Sequence, residues 1–168
     1  MTKKTVELGF FLAIALILSY VESLIPFSFG IPGIKLGLPN LVVVLLLYRR
    51  GSKEAVAVNF MRIILSGFLF SNLYAILYAL AGAVLSFCAM LLAKRARCFS
   101  VVGVSVAGGV FHNIGQIIVA MLVVETVYVG YYLPFLIIAG TVTGAVLGIA
   151  VLELMPYLRD GVLGSDLT

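Results

Sequence analysis

Arg62, His112 and Glu22 are ionisable residues inside otherwise apolar stretches of this 168-residue chain. At membrane depth such groups are expensive and seldom idle. Arg62 lies nine residues past Lys53, about 13 Å along a helix, too deep to be an end residue. Asn59, Arg62 and Ser66 share one helix face by i, i+3, i+4 geometry. Ser105, Gly109, His112 and Gln116 form a stripe at spacings of four, three and four, with Asn113 beside it. Glu22 has Ser19 one turn below it, and Lys35 and Asn40 bracket the start of another apolar stretch. Arg62 and Glu22 alone could be a structural ion pair, and His112 and Gln116 could bond between helices for about 1 kcal/mol. Taken jointly, polar groups from several segments converge on one pocket. A guanidinium, an ammonium and an imidazole there would favour a ligand with an anionic or carbonyl-rich part.

The elements that must position these groups are apolar helices. Hydrophobic residues make up 63% and charged residues 11% of the chain, and mean hydropathy is +1.23. A soluble domain of this size would need far more polar surface. Six apolar stretches read as spans: Val6 to Ile25, Leu36 to Tyr48, Ala55 to Phe70, Asn72 to Ala93, Val101 to Val124 and Pro134 to Leu154. Backbone groups in lipid must be bonded internally, so the fold class is an all-α six-helix integral membrane bundle. No ten-residue alternation suggests a β-barrel. The second stretch is short, with Pro39 expected in its first turn, and should lean on the preceding loop or enter only part of the bilayer. Residues 1–158 form the membrane domain and 159–168 a polar cytoplasmic tail.

Basic residues set the orientation. Lys3/Lys4, Arg49/Arg50/Lys53, Lys94/Arg95/Arg97 and Arg159 fall at the amino end, at every second gap and at the carboxyl end. Both termini are therefore expected inside, with Tyr128, Tyr131 and Tyr132 at the outer interface. The net charge of +4 serves topology, and no nucleic-acid partner follows from it. Lys3-Lys4 and the following apolar run could imitate a signal peptide, but lack an A-x-A-like cut site; the segment reads as a retained span. Cys88 and Cys98 suggest neither disulfide nor metal and read as packing residues.

Small residues recur every four positions. Gly140/Gly144/Gly148, Ala75/Ala79/Ala83, Gly103/Ala107 and Gly9/Ala13 would each let helix backbones approach closely. The first three sets read as seams within the bundle. Gly9 and Ala13, near the cytoplasmic end, could instead receive a partner membrane protein.

The segments Leu18–Pro26 (LSYVESLIP), Pro32–Asn40 (PGIKLGLPN), the Arg62 region, His112–Gln116 (HNIGQ) and Tyr131–Pro134 (YYLP) resemble the heptaprenyl diphosphate synthase component I family, also called the Gx transporter family. The likeness spans about Lys3 to Leu158, and the family is in turn similar to the substrate-binding S components of energy-coupling factor (ECF) importers. That resemblance implies six helices and a substrate held near the outer face under the first connection. It also implies docking on a transmembrane coupling subunit, itself served by ATPase subunits, through small residues on the first helix. Gly9 and Ala13 are the matching pair, with Gly where Ala is usual. The expected pocket is Lys35, Asn40, Arg62, His112, Asn113 and Gln116, with Glu22 as orienter and Pro26 to Lys35 as a lid. No cofactor or metal is implied.

The family name suggests prenyl diphosphate synthesis, yet such chemistry uses aspartate clusters to hold Mg²⁺. The two aspartates here, Asp160 and Asp166, lie in the tail, and neither a P-loop nor a nucleophile–base pair is present. The expectation is a non-enzymatic importer subunit for a vitamin-, flavin- or isoprenoid/quinone-precursor-like molecule. The alternative is a non-catalytic membrane accessory to polyprenyl diphosphate or quinone synthesis.

Overall fold

A computed structural model describes residues 3–24 and 37–160, with side chains to Leu158. Lys35, the expected lid and the tail beyond residue 160 lie outside the described residues. The order is α1 (Lys3–Leu24), α2 (Asn40–Arg49), α3 (Ser52–Phe70), α4 (Leu73–Ala96), α5 (Val101–Val123), a 3₁₀ turn (Val127–Tyr132) and α6 (Leu133–Asp160). The fold is all-helical, and four stretches are long and apolar enough to cross a membrane: α1, α4, α5, and the 3₁₀ turn with α6. Large apolar side chains such as Phe10, Leu77, Leu122, Phe135 and Val146 point outward from these helices, as suits a hydrocarbon surrounding.

Local chemistry explains the boundaries. The Asn72 side chain accepts from the Ala75 amide at 2.9 Å and starts α4. The Ser100 hydroxyl accepts from the Gly103 amide at 3.3 Å and starts α5. These side chains satisfy amides that the first turn of a helix leaves open. Pro39 precedes α2 as its N-cap rather than lying within its first turn. Gly51, at φ 113°, makes the sharp link from α2 to α3 that a residue with a Cβ resists. The 3₁₀ turn is a feature that the tyrosines alone did not announce.

α5 packs between α4 and α6, and glycines make both seams possible. A Cβ on Gly140 would lie 2.8 Å from the Gly109 carbonyl oxygen, and one on Gly144 or Gly148 would lie 2.7 Å from the α5 backbone. The α6 glycines thus pack as their spacing suggests. The α4 alanines divide: Ala83 packs with Ile63 of α3 and Ile76, Ala79 borders that cluster and a cavity, and Ala75 faces the cavity. The cysteines differ from expectation. Both are exposed, Cys88 on the outer face of α4 and Cys98 in the α4–α5 link, because neither position falls on a packed helix stripe.

α2 shapes the interior. Six consecutive residues, Val42 to Leu47, are buried, as expected for a helix enclosed on all sides. It packs against α1, α3 and α6. Ten residues rise only about 15 Å, half the thickness of a bilayer core. The principal core, with Phe11, Phe87, Met90, Val104 and Val151, surrounds α2 in that half. Charges close the same end. The Glu7 carboxylate accepts from Arg49 at 3.2 Å and also from Arg50. Arg49 donates to the Leu158 carbonyl at 2.5 Å and Lys94 to the Leu47 carbonyl at 2.5 Å.

Candidate functional site

The half of the bundle that α2 does not fill contains a cavity of about 500 Å³. It runs from the α3–α4 and α5–α6 connections, at Ser71, Val124 and Tyr132, down to Val44, Met90 and Ser105. Glu22, Asn40, Arg62, His112, Asn113 and Gln116 all line it. Four helices, α1, α2, α3 and α5, thus bring one cluster of polar side chains to a shared void. Lys35 is outside the described residues.

Arg62 is the best-buried cation of the cluster, 8% exposed. Its Nη2 donates to Asn59 Oδ1 at 2.7 Å, one turn back on α3. Its Nε is buried without a hydrogen-bond partner among the described residues. A buried donor left open is unusual, because such groups are normally paired. Glu22 acts on the guanidinium electrostatically, but its carboxylate accepts a hydrogen bond from the Gly37 amide. Arg62 and Glu22 are therefore not a closed structural pair: Glu22 fastens the chain entering α2 to the end of α1.

His112 owes its place to a glycine. A Cβ on Gly82 would sit 2.8 Å from His112 Cε1 and Nδ1, so the bare backbone of α4 makes room for the imidazole. Asn113 has a structural duty as well as a cavity face: its Nδ2 donates to the Leu136 carbonyl at 2.7 Å and pins α5 to α6. Gln116 lines the cavity one turn above His112. The positive end of the α2 dipole lies at the same void, through Gly37 and Asn40. Together these groups direct hydrogen-bond donors and positive potential at the void, the chemistry that suits an anionic or carbonyl group, between apolar walls such as Ile63, Ile76, Ile117 and Leu136.

Sequence reasoning missed Tyr78 and Ser86 on α4, and it noted Ser105 without assigning it to the pocket. All three line the cavity. The signal was present: Ala75, Ala79, Gly82, Ser86 and Met90 follow spacings of four, three, four and four, the same kind of stripe as on α5. Gly9 and Ala13, by contrast, lie on an exposed face of α1, and a Cβ on Gly9 would meet nothing within 4 Å.

No curated protein and no solved structure matched this chain. The family profile of heptaprenyl diphosphate synthase component I matches residues 11–154, a stretch that includes every described wall of the cavity. The chain therefore belongs to the heptaprenyl diphosphate synthase component I family.

Proposed function

We propose that this protein is the substrate-binding membrane subunit of an ECF-type importer. The chain would cross the bacterial cytoplasmic membrane six times with both termini inside, α2 filling only the inner half of its crossing, and the cavity would open outward. The observation that carries this reading is the Arg62 guanidinium, a cation 8% exposed in the cavity wall, whose Nε has no partner among the described residues. The carboxylate, phosphate or carbonyl of a bound molecule would meet the guanidinium where Arg62 lines the cavity. His112, Gln116 and Asn40 would orient that group, Lys35 would approach from the lid, and Gly9 and Ala13 would meet the coupling subunit. The reaction catalysed by the assembly would be ATP hydrolysis on other subunits, since no phosphate-cradling loop is present here.

The test is purification of the full chain in mild detergent, followed by native mass spectrometry for a retained small molecule. A bound species lost in Arg62→Ala, with the variant still folded, supports the reading. Retention of that species at unchanged affinity in Arg62→Ala refutes it.

The family name favours a second reading, a non-catalytic membrane partner of a prenyl diphosphate synthase. Affinity capture from the native membrane separates the two. An importer subunit brings down a transmembrane coupling protein with ATPases, whereas an accessory subunit brings down a soluble synthase.

A further inference from the structure

Hydroxyls in this bundle usually bond back to their own helix. Ser19 donates to the Ala15 carbonyl at 2.8 Å, Thr141 to Ile137 at 2.8 Å and Thr143 to Ala139 at 2.9 Å. Ser86 and Ser105 are exceptions. They are 5% and 4% exposed, both line the cavity, and neither bonds another described residue. Hydroxyls inside a fold are ordinarily paired; these two are open to the void, so their hydrogen bonds go to whatever occupies it.

Their depth is fixed by the helix seams. Gly82 touches His112, and Ser86 is four residues farther along α4, about 6 Å deeper at 1.5 Å per residue. Ser105 is seven residues before His112 on α5, about 10 Å deeper. Arg62 stands near the upper level, since its neighbour Ile63 packs with Ile76 and Ala83. Val44, Met90 and Leu147 surround the lower level. They are apolar and carry no charge.

We infer that Ser86 and Ser105 form a second polar subsite at the cavity floor, which reads an uncharged hydrogen-bonding group on the ligand about 6–10 Å inward of the group held by Arg62. The inference rests on the binding reading above and narrows its substrate class. The ligand is compact and polar at both ends, anionic or carbonyl-rich at one and neutral at the other, with an apolar middle. A molecule ending in bare hydrocarbon, such as a prenyl chain, would leave both hydroxyls buried and unpaired.

Octanoate and ω-hydroxyoctanoate test this, because they share a carboxylate and differ only at the far end. Their affinities are measured by calorimetry on the full chain in lipid nanodiscs. The wild type should bind ω-hydroxyoctanoate about fivefold more tightly or better, the yield of one net hydrogen bond. Ser86→Ala/Ser105→Ala should erase that preference and keep octanoate binding. Equal or reversed preference in the wild type, or a preference that survives the double substitution, overturns the subsite. Arg62→Ala should weaken both probes alike; if it weakens neither while the serine-dependent preference holds, the Arg62 reading fails and the floor stands. Failure of both probes to bind removes both readings together.

Discussion

Replacing Arg62 and Asn59 together separates a binding cation from a structural one. The pair is joined by a 2.7 Å hydrogen bond and buried, at 8% and 3% exposure. Arg62→Met with Asn59→Leu keeps the volumes close and removes both polar partners. Swapping both members of a buried polar pair for apolar groups of similar shape is nearly neutral or stabilising. The unpartnered Nε adds to that expectation, because an open buried donor costs about 1–3 kcal/mol and the substitution relieves it. The double variant should therefore melt at or above the wild-type temperature when free of ligand. Binding should move the other way. Two charge-assisted hydrogen bonds from the guanidinium, each about 1.5–3 kcal/mol, set a loss of at least about a hundredfold. The assay is a thermal melt of detergent-purified protein beside native mass spectrometry of the same samples. If Arg62 instead holds the fold together, its loss should cost about 3–5 kcal/mol. At about 2–4 °C per kcal/mol for a chain of this size, the melting temperature would drop by roughly 6–20 °C. Such a drop with ligand still bound refutes the reasoning.

Gly140→Ala places a Cβ 2.8 Å from the Gly109 carbonyl oxygen, so overpacking of about 1–3 kcal/mol should lower the melting temperature measurably. Gly9→Ala meets open space and should leave the melt unchanged or slightly raised, while a bulkier Gly9→Leu should reduce co-purification of a coupling subunit. Glu7→Gln leaves Arg49 and Arg50 without their shared carboxylate and should lower the melting temperature by several degrees, with little change in ligand affinity at the opposite end of the bundle. In a Cys88→Ser background, an impermeant maleimide should label Cys98 only after the cells are permeabilised, because the basic α4–α5 link is expected inside; labelling on intact cells reverses the orientation.

Helix identity was legible because apolar runs and their basic punctuation are local signals. The α4 and α5 spans match within about three residues, the margin at which helix ends fray anyway. The stripe from Ser105 to Gln116 pointed to the cavity because helix geometry puts those positions on one face. What the residues could not disclose was pairing across helices. Glu22 and Arg62 looked like mutual partners, but Glu22 bonds the Gly37 amide and Arg62 bonds Asn59. Asn113 looked like a pure pocket residue, yet half its amide is taken by the Leu136 carbonyl. Ser86 stayed hidden because a serine within a membrane helix usually satisfies itself on the preceding turn. Only the structure shows that this one does not.

The length of α2 connects these features. A full-height helix at that position would occupy the space where Arg62, His112 and Gln116 meet. Because α2 has only ten residues, the surrounding helices keep their height on one side around the cavity. Its two ends then do different work. The Arg49 end is sealed by Glu7, Lys94 and the Leu158 carbonyl, which closes the bundle below the cavity. At the Asn40 end, next to the void, the Gly37 amide donates to Glu22. Under the importer reading, a bundle closed by ion pairs at the Arg49 end would take its ligand from the Asn40 side. Release to the opposite side would require the Glu7 cluster to open or the whole bundle to turn, and the bare Gly9/Ala13 face of α1 is where a partner could drive that turn.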